Sequence, residues 1–196
     1  RSRTMKKKTM IVLISAFLLL SAFSCGGGNK ANSTSEQSEE TAVNVPQFDA
    51  DSAYLYVKNQ VDFGPRVPNT KEHVACGNYL AGQLEAFGAQ VTNQYADLIA
   101  YDGTLLKARN IIGSYKPESK KRIALFAHWD TRPWADNDPD EKNHNTPILG
   151  ANDGASGVGA LLEIARLVNQ QQPELGIDII LLDAEDYGAP QFYTGQ

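Results

Sequence analysis

Two short apolar runs constrain this chain most: Ile123-Ala-Leu-Phe-Ala127 and Ile177-Asp-Ile-Ile-Leu-Leu182. Runs of this length and content read as strands, and the mostly apolar second run reads as one covered on both faces. Between them, Gly154 to Gln171 reads as a helix with Val158, Leu161, Leu162, Ala165 and Val168 on one side. A strand, loop, helix and strand in this order form a crossover unit with parallel strands. The polar loop from Asp130 to Pro147 is long for a compact domain, and loops of that length are usually functional or disordered.

The preceding segment adds two helices and a hairpin. Asp49-Ala-Asp-Ser opens a helix with Tyr54, Val57 and Val61 at helical spacing, and Phe63-Gly-Pro-Arg-Val-Pro68 breaks it. Asn69 or Thr70 can cap a second helix carrying Val74, Asn78, Leu80, Leu84 and Phe87, which Gly88 ends. Ala89 to Ala100 and Leu105 to Tyr115 read as strands joined at Asp102-Gly103. There is no internal repeat.

Composition matters once it is divided along the chain. Lys6 to Lys8 precede an apolar run from Met10 to Leu20, then small residues and Cys25. That order reads as a secretory signal peptide, with Met5 as the start and an apolar run too short to span a membrane. Small residues directly before Cys25 resemble a bacterial lipoprotein cleavage box, so Cys25 is the expected lipidation site. Residues 25–46 hold almost nothing to bury and read as a tether. The expected organisation is a leader over 1–24, the lipidated cysteine and tether over 25–46, and a globular region over 47–196. The expected location is an exported bacterial lipoprotein, anchored in a membrane and facing the periplasm.

Five basic residues precede Cys25 and no acid does, which leaves 13 basic against 23 acidic residues, a net charge of −10. Such an acidic chain is a poor partner for nucleic acid, whose phosphates require a basic face. Two cysteines cannot form a disulfide scaffold. With Cys25 assigned to lipid, Cys76 reads as a packed core thiol.

Three polar clusters follow strand ends or precede the long helix: His128-Trp129-Asp130, Gly150-Ala-Asn-Asp153-Gly-Ala-Ser-Gly157, and Asp183-Ala-Glu185-Asp186. In open α/β sheets the carboxyl ends of the strands are where ligands bind, so the crossover brings the clusters to one edge. Singly, each has a plain reading: a core histidine at His128, a turn at Asp130, an N-cap at Asp153, solvated acids at Glu185 and Asp186. Together they form a donor set suited to zinc, which takes His nitrogen and carboxylate oxygen. Gly154, Gly157 and Gly159 clear side chains from the first turns of the helix, as close approach by another group requires. On an extended segment, adjacent acids point to opposite sides. One can hold metal while its neighbour carries a proton.

The sequence resembles the zinc aminopeptidase-like family that includes the glutaminyl cyclases. The matching pieces are Phe63-Gly-Pro-Arg66, Asn110-Ile-Ile-Gly113, Ala127-His-Trp-Asp-Thr131, Gly150 to Gly157, Leu162-Glu-Ile-Ala165 and Asp183-Ala-Glu-Asp-Tyr-Gly188. Trp134-Ala-Asp136 and Glu185-Asp-Tyr-Gly188 look closest to the bacterial glutaminyl-peptide cyclotransferases. The resemblance implies an α/β fold with a central mixed, mostly parallel β-sheet flanked by helices, incomplete at the C-terminus. It implies that Asp153 and Asp186 hold zinc and that Glu185 is the general acid/base. His128 would be a metal ligand in two-zinc enzymes and a near-site residue in one-zinc cyclases, with Asp130 orienting it. Trp129, Trp134 and Tyr187 are candidates to shape the substrate mouth and, equally, to do no more than pack the loop.

The implied reaction is cyclisation of an N-terminal glutamine of a peptide or exported protein to pyroglutamate, with release of ammonia. Zinc would polarise the side-chain amide and Glu185 would move the proton. A two-zinc aminopeptidase is the first alternative, and a non-catalytic binding lipoprotein the second. The family's third zinc ligand, a late histidine, has no match here; His144 does not fit that position. The chain therefore reads as an N-terminal piece, expected to be inactive alone. The acidic loop Asp136-Asn-Asp138-Pro-Asp140-Glu141 is not an EF-hand, because Glu141 and Pro147 stand where Gly and Glu are required.

Overall fold

The computed structural model describes residues 44–190. The expected leader, Cys25 and most of the tether lie outside them. The elements follow in the order α1 (Ala50–Val61), α2 (Lys71–Ala86), β1 (Gln90–Ile99), β2 (Leu105–Tyr115), β3 (Arg122–His128), α3 (Ala155–Gln170) and β4 (Gly176–Leu182), with a 3-10 turn at Glu141–Asn143. Among the described residues no helix is long and apolar enough to cross a membrane.

Local chemistry accounts for the boundaries. Asp49 caps α1 by accepting the amides of Asp51 and Ser52, and Thr70 caps α2 by accepting the amide of His73. The β1–β2 turn closes with the Gly103 amide donating to Ala100 O at 3.0 Å and the Ala100 amide to Thr104 O at 2.8 Å.

The sheet order is β1-β2-β4-β3. β3 and β4 are parallel, as the crossover requires, and their register sets His128 opposite Leu182. The sheet is mixed as expected, but among the described strands it is not mostly parallel. β1 pairs antiparallel with β2, and β2 antiparallel with β4. The reason is connectivity: a tight hairpin joins only antiparallel neighbours, and the one connection among these strands that carries a helix long enough for a crossover is α3.

One face of the sheet holds the core. Ile111, Tyr115, Ile177, Ile179 and Leu181 pack there with Cys76, Leu80 and Leu84 of α2 and with Val158, Leu162 and Ala165 of α3. The far face of β4, with Asp178, Ile180 and Leu182, is only half-buried, so cover on both faces does not hold among the described residues. The face expected of α3 is the buried one. On α1 it is not: Tyr54 is 72% exposed, while Tyr56 and Gln60 are buried. Gln60 is inward because its side-chain amide donates to Tyr56 O and Ala155 O, a polar tie that hydrophobic spacing does not register. Cys76 is a fully buried free thiol, pushed up to about 12 by burial.

The candidate metal centre

β3 and β4 end level, and α3 begins beside them. Their ends carry the three polar clusters. His128 closes β3, Asp153 sits in the turn before α3, and residues 183–186 follow β4. One ring nitrogen of His128 and one carboxylate oxygen each from Asp153 and Asp186 lie within 4.8 Å of one another.

Asp153 does not cap α3. The N-cap is Gly154, at φ +89° and without a side-chain bond. The Asp153 carboxylate is 63% exposed and lies 2.9 Å from His128 Nε2. Gly154 is required here twice over. Its φ is in the left-handed region, and a Cβ would stand 2.8 Å from Asp130 O. The expected close approach at Gly159 also occurs, against α1: a Cβ there would stand 2.6 Å from Val57 Cγ2.

Asp130 is fully buried. Its two oxygens accept the amides of Glu185 at 3.3 Å and Asp186 at 3.1 Å. His128 Nδ1 stands 3.5 Å from Asp130 Oδ1 and 3.7 Å from Glu185 Oε2, as ion pairs rather than hydrogen bonds. The Asp130 carboxylate beside it is the chief reason His128 is raised to about 9, with Asp153 and Glu185 adding to it. Asp186 is raised to about 6, first by burial and then by the charges of Asp153 and Asp130. Arg132 opposes this: it lies 3.6 Å from Asp186 Oδ1 and donates to Asp186 O and Ala189 O.

The donor set fits a zinc ion. Its atoms are imidazole nitrogen and carboxylate oxygen, and Asp186 Oδ2 is buried with no hydrogen-bond partner among the described residues. A group of acids that raises a histidine and a buried aspartate in this way equally favours a cation among them. Consecutive acids have separated roles in space. Asp186 is 8% exposed overall, whereas the Glu185 side chain is 61% exposed.

Trp134 and Tyr187 stand together, ring centroids 5.5 Å apart, and Tyr101 from the β1–β2 turn meets Trp134 at 6.0 Å. Beside them is a cavity of about 270 Å³ lined by Arg132, Trp134, Asp136, Ile148 and Asp153. Trp129 is elsewhere. It is fully buried, stacked on His73 at 4.2 Å, and its indole N–H donates to Arg109 O. Alternation explains the correction: the extended backbone that sends His128 and Asp130 to the site sends Trp129 into the core. The acids of the 136–141 loop are engaged as well. Arg132 holds Asp136 at 2.6 Å and Asp140 caps the 3-10 turn. His144 sits in that loop, its Nε2 2.9 Å from Asp138 O.

Three residues of the assembly carry no assigned role from sequence, although Arg66 and Asp183 fall within the matching motifs. Arg66 is fully buried and donates to the carbonyls of Gly64, Trp129, Leu149 and Gly150. Arg132 ties the loop to Asp186. Asp183 is enclosed behind the loop. The only sequence signals for them are Arg66 after a Gly-Pro turn and an acid directly after a buried strand.

The family model of Peptidase family M28 matches residues 110–194. A solved glutaminyl cyclase from Bacteroides thetaiotaomicron, bound to N-acetylhistamine, is 95% identical at TM-score 0.77, over 78% of this chain and 52% of that one. A solved leucine aminopeptidase precursor from the same organism is also 95% identical at TM-score 0.77, over 78% of this chain and 53% of that one. The glutaminyl cyclase of Tannerella forsythia is 59% identical at TM-score 0.74, over 75% and 50%. The chain thus spans about half the length of the solved structures it matches, and about a third or less of the curated relatives. With the paired strand ends, the acid–histidine cluster and these matches together, the chain has the zinc exopeptidase fold of peptidase family M28.

Proposed function

We propose that the whole protein is a zinc-dependent glutaminyl-peptide cyclotransferase, turning an N-terminal glutamine into pyroglutamate with release of ammonia. The observation that carries this is the division between neighbours: Asp186 buried in the metal cluster, Glu185 exposed beside it and 3.7 Å from His128. The glutaminyl cyclases of Bacteroides thetaiotaomicron and Tannerella forsythia, both similar to this chain, support it.

In this reading Asp153 and Asp186 hold one zinc, whose chemistry when bound is Lewis-acid polarisation of an amide carbonyl. Glu185 accepts a proton from the substrate α-amine as that nitrogen attacks the side-chain amide carbon. It then returns a proton to the departing ammonia. Trp134 and Tyr187 border the substrate mouth and limit the conformers of the glutamine side chain. The amine and amide belong to one residue, so holding the reactive conformer supplies much of the acceleration. The sequence-based expectation of an exported lipoprotein, anchored through Cys25, places the site outside the cytoplasm. Metabolic labelling with palmitate, lost in Cys25→Ala, tests that placement.

The decisive assay uses the full-length protein, zinc and a peptide beginning with glutamine. The expected products are ammonia and a blocked N-terminus, both absent in Glu185→Gln. Failure of the wild type to convert the peptide overturns the cyclase reading. A two-zinc aminopeptidase is favoured by one observation, the presence of a His128 nitrogen in the same cluster as both acids. Two equivalents of tightly bound zinc with hydrolysis of a leucine anilide would select it; one equivalent selects the cyclase.

A further inference from the structure

Behind the 183–186 loop lies a buried histidine–carboxylate hydrogen bond that the proposed reaction does not use. His73 Nε2 is 2.9 Å from both oxygens of Asp183, and the two side chains are 4% and 0% exposed. A buried histidine–carboxylate contact is seldom the most stabilising choice, since well-packed apolar residues often do as well. Geometry is the better account of its presence.

The Asp183 carboxylate is fully engaged. Oδ2 accepts the Arg109 amide from β2 at 2.6 Å, and Oδ1 accepts the Ala184 amide at 2.8 Å. Its own amide donates to Asn110 Oδ1 at 2.9 Å. His73 is fixed in turn by its stack on Trp129, with planes 17° apart, and Trp129 is tied to Arg109 O. The pair therefore links α2, β2 and the end of β4.

The next residue shows what this achieves. Ala184 adopts φ +60°, a left-handed conformation that a residue with a Cβ does not take without support. The turn it makes presents the amides of Glu185 and Asp186 to Asp130. One short loop is thus held through its main chain by two buried carboxylates, Asp183 on one side and Asp130 on the other.

We propose that the His73–Asp183 pair is a positioning unit that aims Glu185 and Asp186 at the metal cluster. This rests on the reading of that cluster as a zinc site. It does not depend on whether the reaction is cyclisation or hydrolysis.

The test uses full-length protein with His73→Leu, which removes the N–H donor, and His73→Gln, which keeps one. Two readouts are independent of turnover: the zinc dissociation constant by calorimetry, and hydrogen exchange of the Glu185 and Asp186 amides. In His73→Leu, zinc is expected to bind about 10- to 100-fold more weakly, the range for loss of an outer partner of a ligand. The two amides should exchange about tenfold faster while those of Ile179 and Leu181 keep their protection. His73→Gln should restore most of both. If His73→Leu does not fold, Asp183→Asn, nearly unchanged in shape, carries the same expectation. A merely structural pair would lower Tm and leave zinc affinity and loop protection at wild-type levels, and that result overturns the proposal. Wild-type protein that binds zinc but leaves glutamine peptides unconverted counts against the cyclase reading alone.

Discussion

Asp130 Oδ2 accepts the amide of Asp186 at 3.1 Å, across 56 residues of sequence. Its other oxygen takes the Glu185 amide and stands beside His128 Nδ1. One buried carboxylate thus sets the orientation of three site residues. Asp130→Asn retains one acceptor and places an amide N–H toward a backbone N–H. Zinc affinity should fall about 10- to 100-fold. Calorimetric titration of both proteins measures this, and equal affinities would rule out the role.

Glu185 has the opposite placement, with its side chain 61% exposed and outside the three-atom donor set. Glu185→Gln should therefore leave zinc affinity within about threefold while turnover falls by roughly 10²- to 10⁴-fold, the range for a lost general acid/base. Parallel loss of zinc would show instead that Glu185 is a ligand.

Two raised groups give the metal-free protein a defined response to pH. Asp186, raised to about 6 by burial and neighbouring acids, binds more protons in the fold than in the open chain between pH 4 and 6. His128, raised to about 9 chiefly by Asp130, does so between pH 6.5 and 9. A raised pKa contributes stability below the unfolded value and loses it as pH rises through the folded value. Stability from this cluster should then decline in both windows. Asp186→Asn removes the carboxylate charge, flattens the lower window and should stabilise the metal-free protein by roughly 3 kcal/mol above pH 6. Urea unfolding with chelator across pH 4–9 measures both slopes.

The parts legible in the sequence are those set by local pattern. The α3 face, the β1–β2 hairpin, the Thr70 cap and the crossover all follow from spacing and turn residues. The convergence of His128, Asp153 and Asp186 follows from the crossover alone, because parallel strands end on one edge. What remained hidden depends on long-range polar contacts. Gln60 turns inward for a carbonyl of another helix, so Tyr54 is left outside. Arg66, Arg132 and Asp183 act on main-chain atoms of distant segments, and no periodicity marks such partners. Trp129 is instructive in another way. Alternation between His128 and Asp130 implies that it faces the core, which favours the packing reading over the substrate mouth.

Two glycines, one capping α3 and one within it, separate site geometry from packing. Gly154 stands at φ +89°, 2.8 Å from Asp130 O for a built Cβ. Gly159 lies against α1, 2.9 Å from Ala53 O. Each alanine variant should be destabilised by about 1–3 kcal/mol. Only Gly154→Ala should also weaken zinc binding, because the displaced atom belongs to Asp130. Gly159→Ala should bind zinc as the wild type does. Thermal melts beside zinc titrations make the comparison.

Among the described residues, the hydrogen-bond partners of the Arg66 side chain are all carbonyls. Its guanidinium donates to Leu149 O at 2.5 Å, Gly150 O at 2.8 Å, and Gly64 O and Trp129 O at 3.4 Å. It thereby joins the 63–68 segment, the end of β3 and the loop before α3, the last two of which carry His128 and Asp153. Burial lowers its pKa, with Asp130 opposing the shift, yet a guanidinium remains charged at neutral pH. Arg66→Lys offers a single ammonium to four carbonyls and cannot reproduce the fork. At about 1–3 kcal/mol for each buried group left unpaired, loss of two such bonds predicts roughly 2–5 kcal/mol of destabilisation. Arg66→Leu should be worse, because no donor remains. Urea denaturation of both variants tests this: a change under about 1 kcal/mol in Arg66→Leu would mean that water or rearranged backbone satisfies these carbonyls, and that the guanidinium does not hold the site together.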